Sequence, residues 1–378
     1  MYQKCGVHCR RIQAKADCTI KEITMSFVTF NTKEHPFFDE LKKSVDSYFE
    51  HNNLNRWGNW KIYLKTVIFM TLLIALYTWL VFFTPGTLLS LLLCSLLGIT
   101  LAGVGFNVMH DSAHGSFSKH EWLNNVMGYS LNLMGGDVHL WKAKHNMIHH
   151  SFTNIDGLDD DIDIQPVLRM NNNQKRYWIH RFQYIYAFIF YALNYAFWVF
   201  YFDFLKYFTG KVGDTKIKKY EFWDHVSFWA TKITYFTMFI VLPMFRIGVV
   251  ETIVGYLVLT SVCGIVIAVV FQLAHVVEET KFPVPDNGKV NVEWAVHQIN
   301  TTSNFATKNK IVSWFTGGLN YQVEHHLFPR ISHVHYPAIN EIVKETCAKF
   351  GVTYNEHRTV LSAVRSHVVH LRDVGRYD

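Results

Sequence analysis

Charged residues and paired cysteines are scarce in this chain of 378 residues. Asp, Glu, Lys and Arg make up 17% of it, against roughly 25% in typical soluble domains. The six cysteines are scattered without a CxxC pair, which argues against a disulfide framework and a thiolate zinc site. Half of the residues are hydrophobic and lie in long runs. The composition therefore predicts an integral membrane protein whose functional side faces a reducing compartment.

A nucleic-acid-binding pattern is also lacking, because no basic stretch is interleaved with aromatic residues. The formal net charge is +6, and the pI is near 8.8. In a membrane protein, such an excess is typical of basic cytoplasmic faces next to anionic headgroups. The lipid bilayer is therefore the first predicted partner, and no nucleic acid is predicted.

The N-terminal residues 1–24 have no apolar segment of the signal-peptide type. They are polar and without periodicity, and Met25 opens a segment that reads like a native start. We expect residues 1–24 to be a disordered leader or a non-native extension, and residues 25–378 to form a single membrane domain, since no linker or repeat divides them. Cys5, His8 and Cys9 supply too few ligands for a metal site. An amphipathic surface helix is predicted over residues 37–52.

Five apolar runs follow, and four of them are predicted to cross the membrane. The predicted spans are residues 63–83, 87–109, 228–245 and 249–271, each near the length of about 20 residues that a bilayer requires. The run 184–202 is rich in Tyr and Trp, which favour the headgroup level, and is predicted to be an interfacial helix. The expected fold is all-α, with two transmembrane hairpins, interfacial helices and a cytosolic helical cap.

Histidine is abundant, and it is clustered at the ends of the apolar runs and in loops. HDSAH ends the second run, HNMIHH and QVEHH lie in loops, and one further histidine closes the last run. These residues are His110, His114, His145, His149, His150, His275, His325 and His326. Histidines four residues apart share one face of a helix, and imidazole binds zinc, iron, copper and nickel. One zinc ion needs only four ligands, so this number predicts two metal ions.

The number of crossings is constrained if one site uses all the clusters. The chain must then return to its starting face before the last cluster, so only two of the last three apolar runs can cross. The final two runs are separated by the short link 246–248 and pair naturally as a hairpin. The run 184–202 is therefore the one predicted not to span.

The three histidine motifs, HxxxH, HxxxHH and QxxHH, resemble those of the membrane fatty-acid desaturases. The last lies within GGLNYQVEHHLFP, residues 317–329. Glutamine at its first position resembles the front-end subgroup, which is linoleoyl-CoA desaturase-like. The resemblance extends from about Val67 to Ile339 and includes the segments 149–164 and 294–306.

The resemblance implies two non-haem iron ions, with O2 as co-substrate, that remove two hydrogens from an acyl chain at the Δ6 or Δ5 position. The eight clustered histidines would be the iron ligands, with Gln322 as a weak ligand or an outer-shell group. The substrate would be an acyl-CoA or an acyl-lipid. Many eukaryotic relatives carry a fused cytochrome b5 domain with an HPGG motif, whereas this chain has only Glu34-His35-Pro36-Phe37. A separate ferredoxin or cytochrome b5 type donor is therefore expected, as in compact bacterial members, with the active site on the cytoplasmic face of the inner membrane.

Several residues near the motifs are predicted to support the site. Asp111 and Glu324 are expected to orient ligand imidazoles. Residues that could line an acyl tunnel or pack in the core are Trp141, Trp294, Asn304 and Tyr321. The acidic segment 159–163 is interpreted as a solvated loop or a docking patch in preference to a set of carboxylate ligands. His297, His333 and His335 are interpreted as surface or outer-shell histidines.

Other functions remain open at the level of the sequence. A hydroxylase on the same scaffold, or an enzyme acting on a sphingolipid, would share these motifs. A histidine-rich membrane metal transporter is disfavoured, because its ligands should lie at mid-membrane depth. A membrane zinc protease would need HExxH, which the chain does not contain.

Overall fold

The computed structural model describes residues 28–30 and 35–377. The predicted leader and the group of Cys5, His8 and Cys9 therefore lie outside the described residues. The described part is predominantly helical, as predicted, with three short two-stranded pairings.

The helices are numbered here in chain order. They are Pro36–His51 (α1), Trp60–Phe83 (α2), Thr87–His114 (α3), Glu121–Gly128 (α4), Ser130–Leu133 (α5), Val138–Trp141 (α6), His150–Phe152 (α7), Trp178–Thr209 (α8), Phe222–Ile247 (α9), Val249–His275 (α10), Trp294–Thr301 (α11), Lys310–Phe315 (α12), Gln322–Leu327 (α13), Tyr336–Phe350 (α14) and Val360–Arg376 (α15). A π-helix, Lys142–His149, joins α6 to α7, and the last turns of α2 are also π-helical.

The strands are two residues long and tie distant segments together. Thr29–Phe30 (β1) pairs in parallel with Lys289–Val290 (β4), and Asn304–Phe305 (β5) pairs in parallel with Glu356–His357 (β6). A hairpin is formed by Lys211–Val212 (β2) and Thr215–Lys216 (β3).

Five helices of the described residues, α2, α3, α8, α9 and α10, are long and apolar enough to cross a membrane. The sequence predicted four spans. The additional candidate is α8, which contains the run predicted to be interfacial. Length and composition alone therefore do not establish the predicted number of crossings.

The long helices pack closely where glycine replaces a larger side chain. A Cβ atom on Gly98 of α3 would lie 2.5 Å from the carbonyl oxygen of Leu259 in α10. One on Gly264 of α10 would lie 2.6 Å from the carbonyl oxygen of Tyr191 in α8. Small residues allow membrane helices to approach in this way. Helix α10 therefore lies between α3 and α8 and carries its last residue, His275, to a fixed position.

A buried ion pair joins the end of α8 to α9. Lys232 donates hydrogen bonds to Asp203 at 2.7 Å and to the carbonyl oxygens of Gly135 and Val199 at 2.6 and 3.0 Å. The Lys232 and Asp203 side chains are both less than a tenth exposed. Such a pair is strongly destabilising to break, because one charge is then left buried alone.

The amphipathic helix predicted over residues 37–52 is confirmed as α1. It begins with Pro36, a residue favoured in the first turn. Its buried side is formed by Phe37, Leu41, Val45 and Phe49, which pack in one apolar cluster with residues of α13 and α14. Helix α1 therefore supports the segment that carries the third histidine motif.

We predict that Gly264→Ala destabilises the protein. The new methyl group would meet two backbone carbonyl oxygens, at 2.6 and 2.9 Å, and backbone atoms cannot rotate out of the way. We expect a loss of about 1–3 kcal/mol in the free energy of unfolding, measured by thermal denaturation in detergent. Gly86→Ala is the matched control, since its Cβ would meet nothing within 4 Å. Equal stability of the two variants would contradict the close contact between α8 and α10.

Candidate metal centre

The fold brings together the rings of all eight histidines that the sequence singled out. They come from the last turn of α3, the π-helix and α7, the end of α10, and α13. None of the eight is more than 9% exposed. Residues up to 216 positions apart in the chain, such as His110 and His326, thereby meet in one buried cluster.

Two π-helical segments position the first two clusters. Gly105–Met109 comes directly before His110, and Lys142–His149 contains His145 and His149. The spacing of His145 and His149 predicted an α-helix, whereas the structure has the wider turn. Their rings are stacked, with centroids 5.2 Å apart. Insertions of this kind are rare and are frequently found at functional sites.

The histidines form two neighbouring groups. One ring nitrogen from each of His110, His114, His145 and His325 lies within 4.8 Å of the others, and the same holds for His149, His275 and His326. We call these the four-histidine group and the three-histidine group. His150 lies between them, with its ring centroid 4.6 Å from that of His325 and 4.4 Å from that of His326.

The ring nitrogens show that these residues fit a metal site. Among the described residues, seven of the eight histidines have a buried ring nitrogen without a hydrogen-bond partner. The eighth, His145, places its Nε2 atom 3.2 Å from Nε2 of His150. Each unsatisfied buried group costs about 1–3 kcal/mol. Metal ions between the groups would satisfy these nitrogens together.

The protonation of the cluster suits metal binding as well. Burial and the neighbouring imidazoles hold the pKa values of His145, His150 and His325 well below the usual range for histidine. These side chains are therefore neutral near pH 7, and the neutral imidazole is the form that binds metal ions.

An acidic side chain orients His149. Nδ1 of His149 lies 3.0 Å from Oδ2 of Asp159, and Asp159 also accepts hydrogen bonds from the backbone N–H groups of Asn154 and Asp161. Burial disfavours the charged imidazole, but the Asp159 carboxylate outweighs burial and raises the pKa of His149. Asp159 is 1% exposed. The interpretation of this segment as a solvated loop is therefore wrong for Asp159.

The three-histidine group is oriented by two further partners. Nδ1 of His326 donates to Oε1 of Gln298 at 2.8 Å, and the Gln298 amide nitrogen donates to the carbonyl of His150. Nδ1 of His275 donates to the carbonyl oxygen of Thr301 at 3.3 Å. Both hydrogen bonds place the proton on Nδ1 and leave Nε2 free to bind a metal ion.

Gln322 begins α13 and is 4% exposed. Its side chain lies near the ring of His275. This position next to a candidate ligand is compatible with either predicted role, as a weak ligand or as an outer-shell group.

The carboxylates inside the motifs take different positions. Asp111 lies behind His110, with Oδ1 3.9 Å from Nδ1 of that ring. Glu324 instead accepts hydrogen bonds from the side chains of Asn304, Asn340 and Tyr354. It therefore anchors α13 to β5 and α14, in place of the predicted contact with a ligand imidazole.

The residues proposed to line a tunnel make packing and hydrogen-bonding contacts. Trp141 stacks on His145 with ring centroids 4.4 Å apart. The Trp294 indole donates to the carbonyl of His150 at 3.3 Å, and the Tyr321 hydroxyl donates to the carbonyl of Thr307. Asn304 accepts a hydrogen bond from the backbone of α13 at Val323.

The structure also buries the three histidines that were predicted to be surface or outer-shell residues. His297, His333 and His335 are 1%, 5% and 8% exposed, so none is a surface residue. His333 contacts Asp111 at 3.0 Å. Gln298 and Thr301 were not predicted to be site residues. The one feature of the sequence that pointed to them is that the segment 294–306 resembles the corresponding part of the desaturases.

We predict that Asp159→Asn weakens metal binding by about 10–100-fold, the usual effect of losing the outer partner of a ligating histidine. An amide would place a hydrogen-bond donor or a weaker acceptor at Nδ1 of His149. Equilibrium dialysis against Fe²⁺ without oxygen measures the change. Asp163→Asn is the matched control, because Asp163 is an exposed residue of the same acidic segment. Equal binding by both variants would contradict the orienting role of Asp159.

Comparisons with known proteins agree with this geometry. The model of the fatty acid desaturase family matches residues 86–358. A sn-1 linoleoyl-lipid 6-desaturase from Arthrospira platensis is 36% identical over 91% of this chain and 94% of its own length. A protein of the same description from Synechocystis is also 36% identical, over 91% and 97%. An acyl-lipid (8-3)-desaturase from Physcomitrium patens is 35% identical over 96% of this chain and 76% of its own length.

The family match covers most of the chain and includes all three histidine motifs. The two cyanobacterial relatives match this chain over nearly their whole length. The resemblance predicted from the motifs is thus confirmed. The chain belongs to the fatty acid desaturase family and is an acyl desaturase, an oxidoreductase.

Proposed function

We propose that the chain is a front-end desaturase that inserts a cis double bond between an existing double bond and the carboxyl end of a lipid-linked acyl chain. The buried cluster of eight histidines with unpartnered ring nitrogens carries this proposal, because such a cluster can hold the metal ions that desaturation requires. The relatives support the substrate class, since their names describe acyl-lipid desaturases. A linoleoyl lipid desaturated at carbon 6 is the first candidate.

Two iron ions are the proposed metals. The four-histidine group would hold one ion and the three-histidine group the other, with His150 between them and Gln322 beside His275. When bound, the iron pair would supply the activation of O2 needed to break unactivated C–H bonds. The protein contributes imidazoles whose tautomers are fixed by outer hydrogen bonds at His149, His275 and His326, and a buried setting that excludes water from the oxidant.

The electrons would come from a separate donor of the ferredoxin or cytochrome b5 type. Desaturation consumes two electrons in addition to O2. A linoleoyl-CoA substrate remains a weaker candidate than a lipid-linked one, because the relatives' names describe lipid-linked substrates. A hydroxylase on the same scaffold is disfavoured because the relatives' names describe desaturases, and a sphingolipid substrate is disfavoured because those names describe linoleoyl-lipid and acyl-lipid substrates.

We propose four membrane crossings, with α8 lying at the interface and the histidines on the cytoplasmic side. Near its start, α8 donates a hydrogen bond from Gln183 to the carbonyl of Arg169, and near its end Lys206 donates to Asp160 at 2.7 Å. Arg169 and Asp160 belong to one segment that directly follows the second histidine cluster. Contact of both ends with this segment supports an interfacial α8.

Residues 25–378 are proposed to form a single domain. The N-terminal α1 packs on α14, and β1 pairs with β4 more than 250 residues later. Near the C terminus, His367 of α15 contacts the carbonyl of Val276 at 2.6 Å, one residue after His275. Both ends of the described chain thus pack around the histidine cluster.

The proposed activity is tested by the fatty-acid profile of a host that expresses the chain with a compatible electron donor. We expect that feeding linoleate yields a new acid with an added double bond at carbon 6. The second candidate is desaturation at carbon 5, which the name of the Physcomitrium patens relative supports. It is tested by feeding an acid whose first double bond is at carbon 8, since a new double bond at carbon 5 would then identify this activity.

Two variants control the experiment. His149→Ala removes a candidate ligand and is expected to abolish the product. His139→Ala removes a partly exposed histidine paired with Asp224, outside both histidine groups, and is expected to retain it. A hydroxy acid as the product would move the assignment to a hydroxylase. No new lipid and no iron in the purified protein would contradict a desaturase function.

The proposed topology predicts which ends of helices share a membrane face. Cysteines introduced at Trp178 and Thr209, the exposed ends of α8, should react with an impermeant maleimide from the same side. Cysteines at Val249, the first residue of α10, and at Glu278, three residues after its end, should react from opposite sides. The native cysteines are replaced first. Labelling of Trp178→Cys and Thr209→Cys from opposite sides would show that α8 crosses the membrane.

A further inference from the structure

A buried lysine in the first apolar helix has no role in the proposed chemistry so far. Lys65 lies one turn and a half into α2 and is only 6% exposed. A charged side chain is costly at such a place and is retained there by paired contacts or by function. Its surroundings therefore require explanation.

The ammonium group of Lys65 has two hydrogen-bonding contacts and lies over an aromatic ring. Nζ lies 3.0 Å from Oδ1 of Asn107 and 3.0 Å from Nε2 of His333, and it lies 5.7 Å from the centre of the Trp314 ring. The Asn107 amide nitrogen donates to the carbonyls of Gly103 and Phe315, which fixes its oxygen towards Lys65. The lysine is thus held from three elements.

These contacts determine the tautomer of His333. An ammonium group can only donate hydrogen bonds, so Nε2 of His333 must accept and Nδ1 must carry the proton. Nδ1 lies 3.0 Å from Oδ2 of Asp111 and therefore donates to it. Burial also lowers the pKa of His333, although Asp111 opposes the shift. A neutral imidazole thereby links a cation to a carboxylate.

The same carboxylate faces the metal centre with its other oxygen. Oδ2 of Asp111 also accepts from the hydroxyl of Ser332 at 2.8 Å and from the backbone N–H of His333 at 3.3 Å. Oδ1 is left on the side of His110, 3.9 Å from its Nδ1. The groups that hold Oδ2 therefore determine where Oδ1 points.

We infer that Lys65 is a positioning residue of the four-histidine group, which acts through His333 and Asp111 on the ring of His110. This inference rests on the proposed metal-binding function. Outer carboxylates fix the orientation of ligating histidines and raise their basicity. Asp111 is the carboxylate that faces His110, at 3.9 Å from its Nδ1, a distance at which the contact is electrostatic and not a hydrogen bond. The helix α2, which supplies no ligand, would in this way influence metal binding through a single side chain.

The alternative is that Lys65 only stabilises the fold. Lys232 offers a matched comparison, because it is also a buried lysine of a long apolar helix and is hydrogen-bonded to an aspartate. Its partner Asp203 contacts Asp137 and Trp198 and none of the eight clustered histidines. Loss of Lys232 should therefore lower stability without a specific effect on metal binding.

The experiment compares Lys65→Met with Lys232→Met in the full chain, purified in detergent. Anaerobic equilibrium dialysis with Fe²⁺ measures binding, Mössbauer spectra of ⁵⁷Fe-loaded protein report on the individual ions, and thermal denaturation reports stability. We expect Lys65→Met to weaken one of the binding steps by about 10–100-fold and to alter one of two iron signals. Lys232→Met should denature at a lower temperature and bind iron as the wild type does.

Several outcomes would overturn the inference. Wild-type iron binding and spectra in Lys65→Met would do so, and so would equal losses of iron in both lysine variants. If Lys65→Met does not fold, Ser332→Ala removes a smaller contact to the same oxygen of Asp111 and should weaken the same step several-fold, whereas unchanged binding would exclude the role. A wild-type protein that binds no iron would refute the metal centre itself, and with it this function of Lys65.

Discussion

The structure depends on the burial of eight imidazoles that converge on a small volume. Each ring has two nitrogens, and a buried polar atom without a partner is costly. For His149, His275 and His326, the outward nitrogen is satisfied by a carboxylate, a carbonyl and an amide oxygen respectively. The inward nitrogens have no such partner among the described residues. The protein thus satisfies one side of these rings and leaves the other side without a partner, an arrangement compatible with a metal site.

Close backbone approach makes this convergence possible. Gly317, with φ of 58°, begins the segment that leads to the third motif, and a Cβ atom there would lie 2.4 Å from the carbonyl oxygen of Phe106. Phe106 belongs to the π-helical turn before His110. The glycine therefore lets the third motif lie directly against the element that carries the first. Gly264 has the same function between α10 and α8.

The sequence predicted that the eight histidines lie in one cluster, and the structure brings them together. The motifs are recognisable because the spacing within each of them is local. Periodicity and run length likewise predicted α1 and the long apolar helices. The sequence did not predict which residues contact the imidazoles, because contacts such as His326 with Gln298 and Asp111 with His333 join residues far apart in the chain. The acidic segment was misinterpreted for a related reason: composition favours solvent, whereas Asp159 is buried by contact with His149. Composition also could not decide whether α8 spans the membrane, because its aromatic surface suits both the interface and the bilayer.

The two histidine groups are not equivalent in charge. Asp159 is hydrogen-bonded directly to a histidine of the three-histidine group, and its other contacts include the neutral backbone N–H groups of Asn154 and Asp161. Asp111 lies farther from the four-histidine group and is linked through His333 to the cation of Lys65. A directly bonded carboxylate increases the basicity of an imidazole ligand, whereas a nearby cation offsets that effect. Lys144 is a cation near the three-histidine group, since it pairs with Asp161, but the carboxylates beside His149 outweigh it and burial together, and they raise the pKa of that ring. Burial lowers the pKa values of His145 and His325 instead, so the surroundings favour positive charge more strongly at His149 than at these rings of the four-histidine group.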